Sequence, residues 1–190
     1  MAALVLSRLD YGSTVLAGLP KQLLDRLKLQ SVQNAAERLV FAARRNDHIT
    51  PLLHSLHWLR VAERVRFRLA VFTYRCLHGS APEYLTLLLR CVSGVHTRQR
   101  LRYASSSDLM VPRTIRSTIG ERSFQSAAAS TWNALPRSVS SSTSMLQFRS
   151  RLNTELFGRS YQQSYWICLC VTVTRHFLFT DLEVFGFTSR

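Results

Sequence analysis

Lysine is nearly missing from this chain of 190 residues: Lys21 and Lys28 are the only two, although Lys and Arg together number 25. Acidic residues are scarce as well, 11 in all, so the formal net charge is +14. Only 7 glycines exclude a collagen-like repeat, and 4 cysteines without a C-x-x-C pair give no disulfide framework. Long apolar runs are missing too. The most apolar stretch, Tyr165 to Val173, is followed by Arg175 and His176, far short of the roughly 20 residues a membrane helix needs. Met1 to Leu9 lacks the basic start and the small-residue cleavage site of a secretory leader. These absences imply no membrane partner and a reducing compartment, nuclear or cytoplasmic rather than secreted. With 46% hydrophobic residues, the chain is too apolar for a disordered basic tail and long enough to bury a core.

What is abundant is arginine. Its planar fork matches phosphate, whereas lysine offers a point charge. Such a balance points to a polyanion, RNA or DNA, although a biased base composition in the gene accounts for it equally well.

Hydrophobic spacing predicts a mainly α fold: an irregular helical bundle with a short β-hairpin and a poorly ordered C-terminal tail. A short helix precedes the turn at Gly18-Leu19-Pro20. Lys21 to Ala43 reads as one long helix whose apolar stripe is Val32, Ala35, Ala36, Leu39 and Val40. Thr50-Pro51 reads as an N-cap with proline at the first helical position. Leu59 to Leu77 is the best helix, with Val61, Val65, Leu69, Phe72 and Cys76 on its inner stripe and a stop at His78-Gly79.

On that helix Arg60, Arg64, Arg68 and Arg75 fall within a sector of about 80°. Four like charges on one side repel. The row therefore needs neutralising, by acidic side chains elsewhere in the fold or by an external anion.

Ala81-Pro82-Glu83 restarts a short helix. Residues 91–108 form a basic, flexible loop in which Arg98, Arg100 and Arg102 surround Tyr103, a pattern suited to phosphate contacts and one base stack. Leu109 to Pro112 and Thr114 to Ile119 are the two arms of the expected hairpin. Glu121 to Leu135 returns to helix with Trp132 as a core anchor. Ser138 to Ser144 reads as a serine-rich linker, after which Thr143 or Ser144 caps a last helix carrying Met145, Phe148, Leu152 and Leu156.

No residues converge for catalysis. Acids occur singly, without the paired carboxylates that hold two cations in a polymerase, and no Walker loop, dinucleotide glycine fingerprint or nucleophile elbow is present. His54, His57, Cys76 and His78 were the nearest approach to a zinc set. Cys76 falls on the apolar stripe, where a thiol acts as a small hydrophobe, and Cys168-Leu169-Cys170 is weaker still. The expectation is no catalytic residue, no metal and no cofactor.

Four stretches carry a resemblance. SRLDYGSTVLAGLPKQLLDRLKLQSVQNAAERLV (Ser7 to Val40) and DHITPLLHSLHWLRVAERVRFRLAVFTYRCLHGSAPEYL (Asp47 to Leu85) come first. LRYASSSDLMVPRTIRSTIGERSFQSAAASTWNALPRSV (Leu101 to Val139) and FRSRLNTELF (Phe148 to Phe157) follow. Together they resemble the region after the catalytic core in reverse transcriptases of LINE-type (non-LTR) retrotransposons, in the jockey-like and chicken-repeat-like branches. The resemblance implies a helical thumb over residues 1–90, the basic loop, a post-thumb region with two helices over 109–158, and a tail from 159 to 190 foreign to the family. Arg60 stands where the family commonly has proline. The family's RNA-directed DNA polymerase palm would precede Met1, so the chain reads as a truncated, non-catalytic copy.

The implied function is residual, sequence-nonspecific nucleic-acid binding through Arg60, Arg64, Arg68, Arg75, Arg98, Arg100 and Arg102. With four phosphate contacts, log affinity should fall against log salt with a slope of about −3 to −4. The partners are RNA or DNA, and a palm-containing polymerase acting in trans. The alternative is a helical protein-interaction module or an inert expressed remnant.

Overall fold

The computed structural model describes residues 2–94, 108–113, 120 and 122–161. Arg98, Arg100 and Arg102, the arm Thr114 to Ile119 and the tail beyond Tyr161 lie outside the described residues. Within them the chain is mainly α-helical: α1 (Ala2–Asp10), α2 (Lys21–Arg26), α3 (Leu29–Phe41), α4 (Ile49–Ser55), α5 (Val61–Leu77), α6 (Glu83–Thr86), α7 (Phe124–Asn133), α8 (Arg137–Ser140) and α9 (Met145–Ser160). Short 3-10 turns occupy Ser13–Leu16 and Val92–Gly94. No helix among the described residues is long and apolar enough to cross a membrane.

Helix α5 is the axle. It packs against the Ser13–Leu16 turn, α7 and α9, and its expected inner stripe holds, with Val65, Leu69 and Cys76 buried. Three aromatic rings close the main core: Tyr74 of α5 stacks on Phe148 of α9 at 4.4 Å between centroids, and Phe148 lies 5.8 Å from Trp132 of α7. Phe148, Leu152 and Leu156 are fully buried, as their i, i+4, i+8 spacing on α9 requires. The ends are sealed locally. Ser144 Oγ accepts from the Gln147 N–H at 3.2 Å, and Ser123 caps α7 in the same way. After α5, Gly79 takes a φ of +68°, which the missing Cβ makes cheap.

The core joins residues on both sides of positions 95–107 in the sequence. Leu59, Ala70 and Tyr74 share one cluster with Leu109, Trp132, Val139 and Phe148. Tyr161 extends the order past α9: its hydroxyl donates to the Trp58 carbonyl at 2.6 Å, and its ring packs with Phe157 and Leu53.

Three local expectations are corrected. The helix expected over Lys21 to Ala43 breaks at Lys28, whose left-handed φ of 51° cannot continue a right-handed ladder. The N-cap of α4 is His48, so Pro51 falls two residues inside the helix, still in the first turn where no N–H is required. The serine-rich stretch contributes α8, which starts directly after Pro136. The expected hairpin is not tested, since its second arm lies outside the described residues; Leu109 forms an isolated antiparallel bridge with Cys91.

The largest correction concerns α3. Of its predicted stripe only Ala36 is buried, while Leu39 is 76% exposed and Val32 and Val40 are about half exposed. The buried side is Gln33, Ala36 and Glu37. The reason is the entry into α5. Gln33 Nε2 donates to the Leu59 carbonyl at 2.8 Å, and Gln30 Oε1 accepts from the Val61 N–H at 3.0 Å, one of the first-turn donors that α5 cannot satisfy itself. Buried backbone groups need partners more than Val32 and Leu39 need shelter.

Candidate nucleic-acid interface

Asp10 ends α1, where the helix dipole disfavours a carboxylate, and two arginines compensate it. Arg64 Nε donates to Asp10 Oδ1 at 2.9 Å while its terminal nitrogen reaches Oδ2, a bidentate fork. Arg68 donates to the same Oδ2 at 3.0 Å. The three side chains are mostly withdrawn from solvent, 13% exposed for Asp10, 11% for Arg64 and 25% for Arg68. Of the two ways of neutralising the arginine row, an acid of the fold meets its two middle members, and this contact clamps α1 to α5.

The outer two differ. Arg60 caps α5 from an exposed position, with its guanidinium carbon 5.6 Å from the centre of the Tyr161 ring, within cation–π range. Arg75 is half-buried in the last turn of α5, where a cation complements the helix C-terminus.

The exposed charge lies elsewhere. Arg8, Arg26, Arg44, Arg45, Arg113 and Arg137 are all exposed. Several acids are engaged within the fold: Asp10 as above, Glu63 with Arg66 at 2.8 Å, Glu155 with Arg159 at 2.9 Å, and Asp47 accepting the Arg44 backbone N–H at 2.6 Å. Sequence spacing missed the exposed arginines because none shares a helical period. It also missed Asp10, whose one visible signal was a carboxylate at the wrong end of a helix.

Glu37 is removed from the surface altogether. It is fully buried, both carboxylate oxygens lack a hydrogen-bond partner among the described residues, and burial pushes its pKa up from 4.5 to about 7, with Arg38 pulling weakly the other way. Burial likewise lifts the Tyr161 phenol to about 12, helped by Glu37 and opposed by Arg60. Because the folded value of Glu37 lies above the unfolded one, the group costs the fold nothing below pH 4.5, and stability falls as pH rises through 7. Urea unfolding should show wild type losing about 3 kcal/mol between pH 4.5 and 8 through this group. Glu37→Gln should flatten that decline; an unchanged pH profile would show that Glu37 is not the cause.

Among the described residues no group of three or more His, Cys, Asp or Glu side chains could hold a metal ion. His54 instead packs against Phe157 at 5.0 Å and Tyr161 at 5.6 Å, and His78 stacks on Tyr74 at 4.0 Å. Cys76 is buried, and burial raises its thiol pKa, which leaves it a packing residue.

Fold and surface together define a basic, mainly helical protein whose exposed chemistry is guanidinium charge. Compared with models of known families, with curated proteins and with solved structures, the chain finds no significant match.

Proposed function

We propose that the chain is a non-catalytic, reverse-transcriptase-derived segment that binds nucleic acid without sequence preference. The observation carrying this reading is the mismatch between exposed arginines such as Arg44 and Arg45 and acids that are buried or already engaged within the fold. A surface of that kind attracts a polyanion through phosphate contacts and counterion release. The likeness of Ser7 to Phe157 to the region following a LINE-type polymerase core supports the same reading.

Fluorescence anisotropy with single-stranded RNA, duplex DNA and heparin tests it. The expected result is salt-sensitive binding to both nucleic acids that survives a charge-equivalent amount of heparin. Binding to heparin alone reduces the reading to bulk charge. No binding at low salt overturns it.

The outward strip of α3 favours a second reading. Val32, Ala35 and Leu39 fall within about 60° of one another and face solvent. An exposed apolar strip marks a surface for another protein, and a polymerase palm supplied in trans is such a partner.

A further inference from the structure

A cleft of about 260 Å³ opens between the end of α6 and the start of α7. Leu87, Leu88, Met110 and Pro112 give it an aliphatic wall, and Arg90 and Gln125 are its polar members. Its size falls below the roughly 300–1,000 Å³ of pockets that hold drug-sized ligands. One ring system fits such a space; a dinucleotide cofactor does not.

The wall is held rigidly from beneath. The Met110 N–H donates to the Arg90 carbonyl at 2.8 Å, and the Val92 N–H to the Asp108 carbonyl at 3.0 Å, so the segments around Arg90 and Met110 are tied together. Asn133 of α7 then grips Leu109 by both its N–H and its carbonyl, each at 2.8 Å, while the Leu109 side chain is buried. Met110 and Arg90 are thereby fixed across a short ladder anchored to α7. At the mouth the apolar surface stays open, with Leu87 70% and Leu88 41% exposed.

We infer that this cleft receives one unstacked nucleobase of a single strand, with Arg90 meeting the adjoining phosphate and Gln125 the edge of the base. The inference rests on the nucleic-acid reading above and adds a site to it. A flat base face is withdrawn from water against an aliphatic wall whatever the base, so such a contact adds affinity without reading sequence. The guanidinium beside that wall supplies the charge a phosphate requires. The half-buried Gln125 amide, which can donate and accept, suits the edge of any base. A purely aliphatic ligand would use the wall but neither Arg90 nor Gln125.

The test compares the full chain binding a short oligothymidylate and an abasic strand of equal length, so that phosphate charge is constant. Wild type should bind the base-bearing strand about fivefold more tightly, the effect of withdrawing roughly 40 Å² of apolar surface from water at about 25 cal/mol per Å². The double variant Leu87→Ser/Leu88→Ser, at exposed positions the fold tolerates, should bring the two affinities together. Arg90→Gln should weaken both strands equally and reduce the salt slope by about one. Equal binding of both strands by wild type would overturn the cleft and leave the nucleic-acid reading standing. A base preference that survives the double serine variant would also overturn it, by placing the base elsewhere. Failure to bind either strand would remove the reading, and the cleft with it.

Discussion

Replacing Asp10 with asparagine is expected to destabilise the protein by about 3 kcal/mol, because it removes the carboxylate that the poorly solvated Arg64 guanidinium grips with two nitrogens. A fully exposed ion pair would contribute less than about 1 kcal/mol, whereas removing one member of a buried pair costs about 3–5 kcal/mol. The side-chain exposures of Asp10, Arg64 and Arg68 place this cluster near the buried limit. Urea unfolding of Asp10→Asn checks the magnitude, and combining it with Arg64→Gln should recover part of the loss, since the stranded charge is then gone. A cost under about 1 kcal/mol would show that α1 is not clamped to α5 by charge. The same variant carries a second consequence. With Asp10 neutral the net charge rises by one, and the salt slope for nucleic acid should steepen by no more than about one.

Phe148→Ala is expected to cost about 3–5 kcal/mol, as large-to-small changes of a fully enclosed aromatic do. Its ring is completely buried between Tyr74 and Trp132, so truncation removes both stacking partners' contacts and opens a cavity where α5, α7 and α9 meet. Against a total stability of about 5–15 kcal/mol for a domain, that is a large fraction. Thermal and urea unfolding should both show it. A loss below about 1.5 kcal/mol would mean that the three helices do not share the enclosed core described above.

Phe148, Trp132 and the cap at Ser144 were legible in the sequence because their signals are local. Apolar spacing of three and four residues, a serine before a helix and a glycine after one are decided within a turn or two of chain. The outward face of α3 was illegible for the opposite reason. Gln33 turns inward to hold the carbonyl of Leu59, 26 residues away, and no property of α3 alone announces that contact. The same holds for the candidate interface. Helical spacing correctly aligned Arg64 and Arg68 on one side of α5, but the carboxylate that takes both comes from α1, 54 and 58 residues earlier. Net charge could be read from composition; which arginines keep that charge in solvent could not. The cleft at Arg90 was likewise hidden, since its walls are assembled from three stretches of chain between Leu87 and Gln125.

The central claim is that the exposed arginines bind a sugar-phosphate strand. Its most direct test is the affinity of the full chain for single-stranded RNA, measured from low to moderate salt. A straight decline of log affinity against log salt with a slope of about −3 or steeper is predicted, equivalent to four or more phosphates engaged. A slope shallower than about −1, or affinity that does not respond to salt, would contradict it.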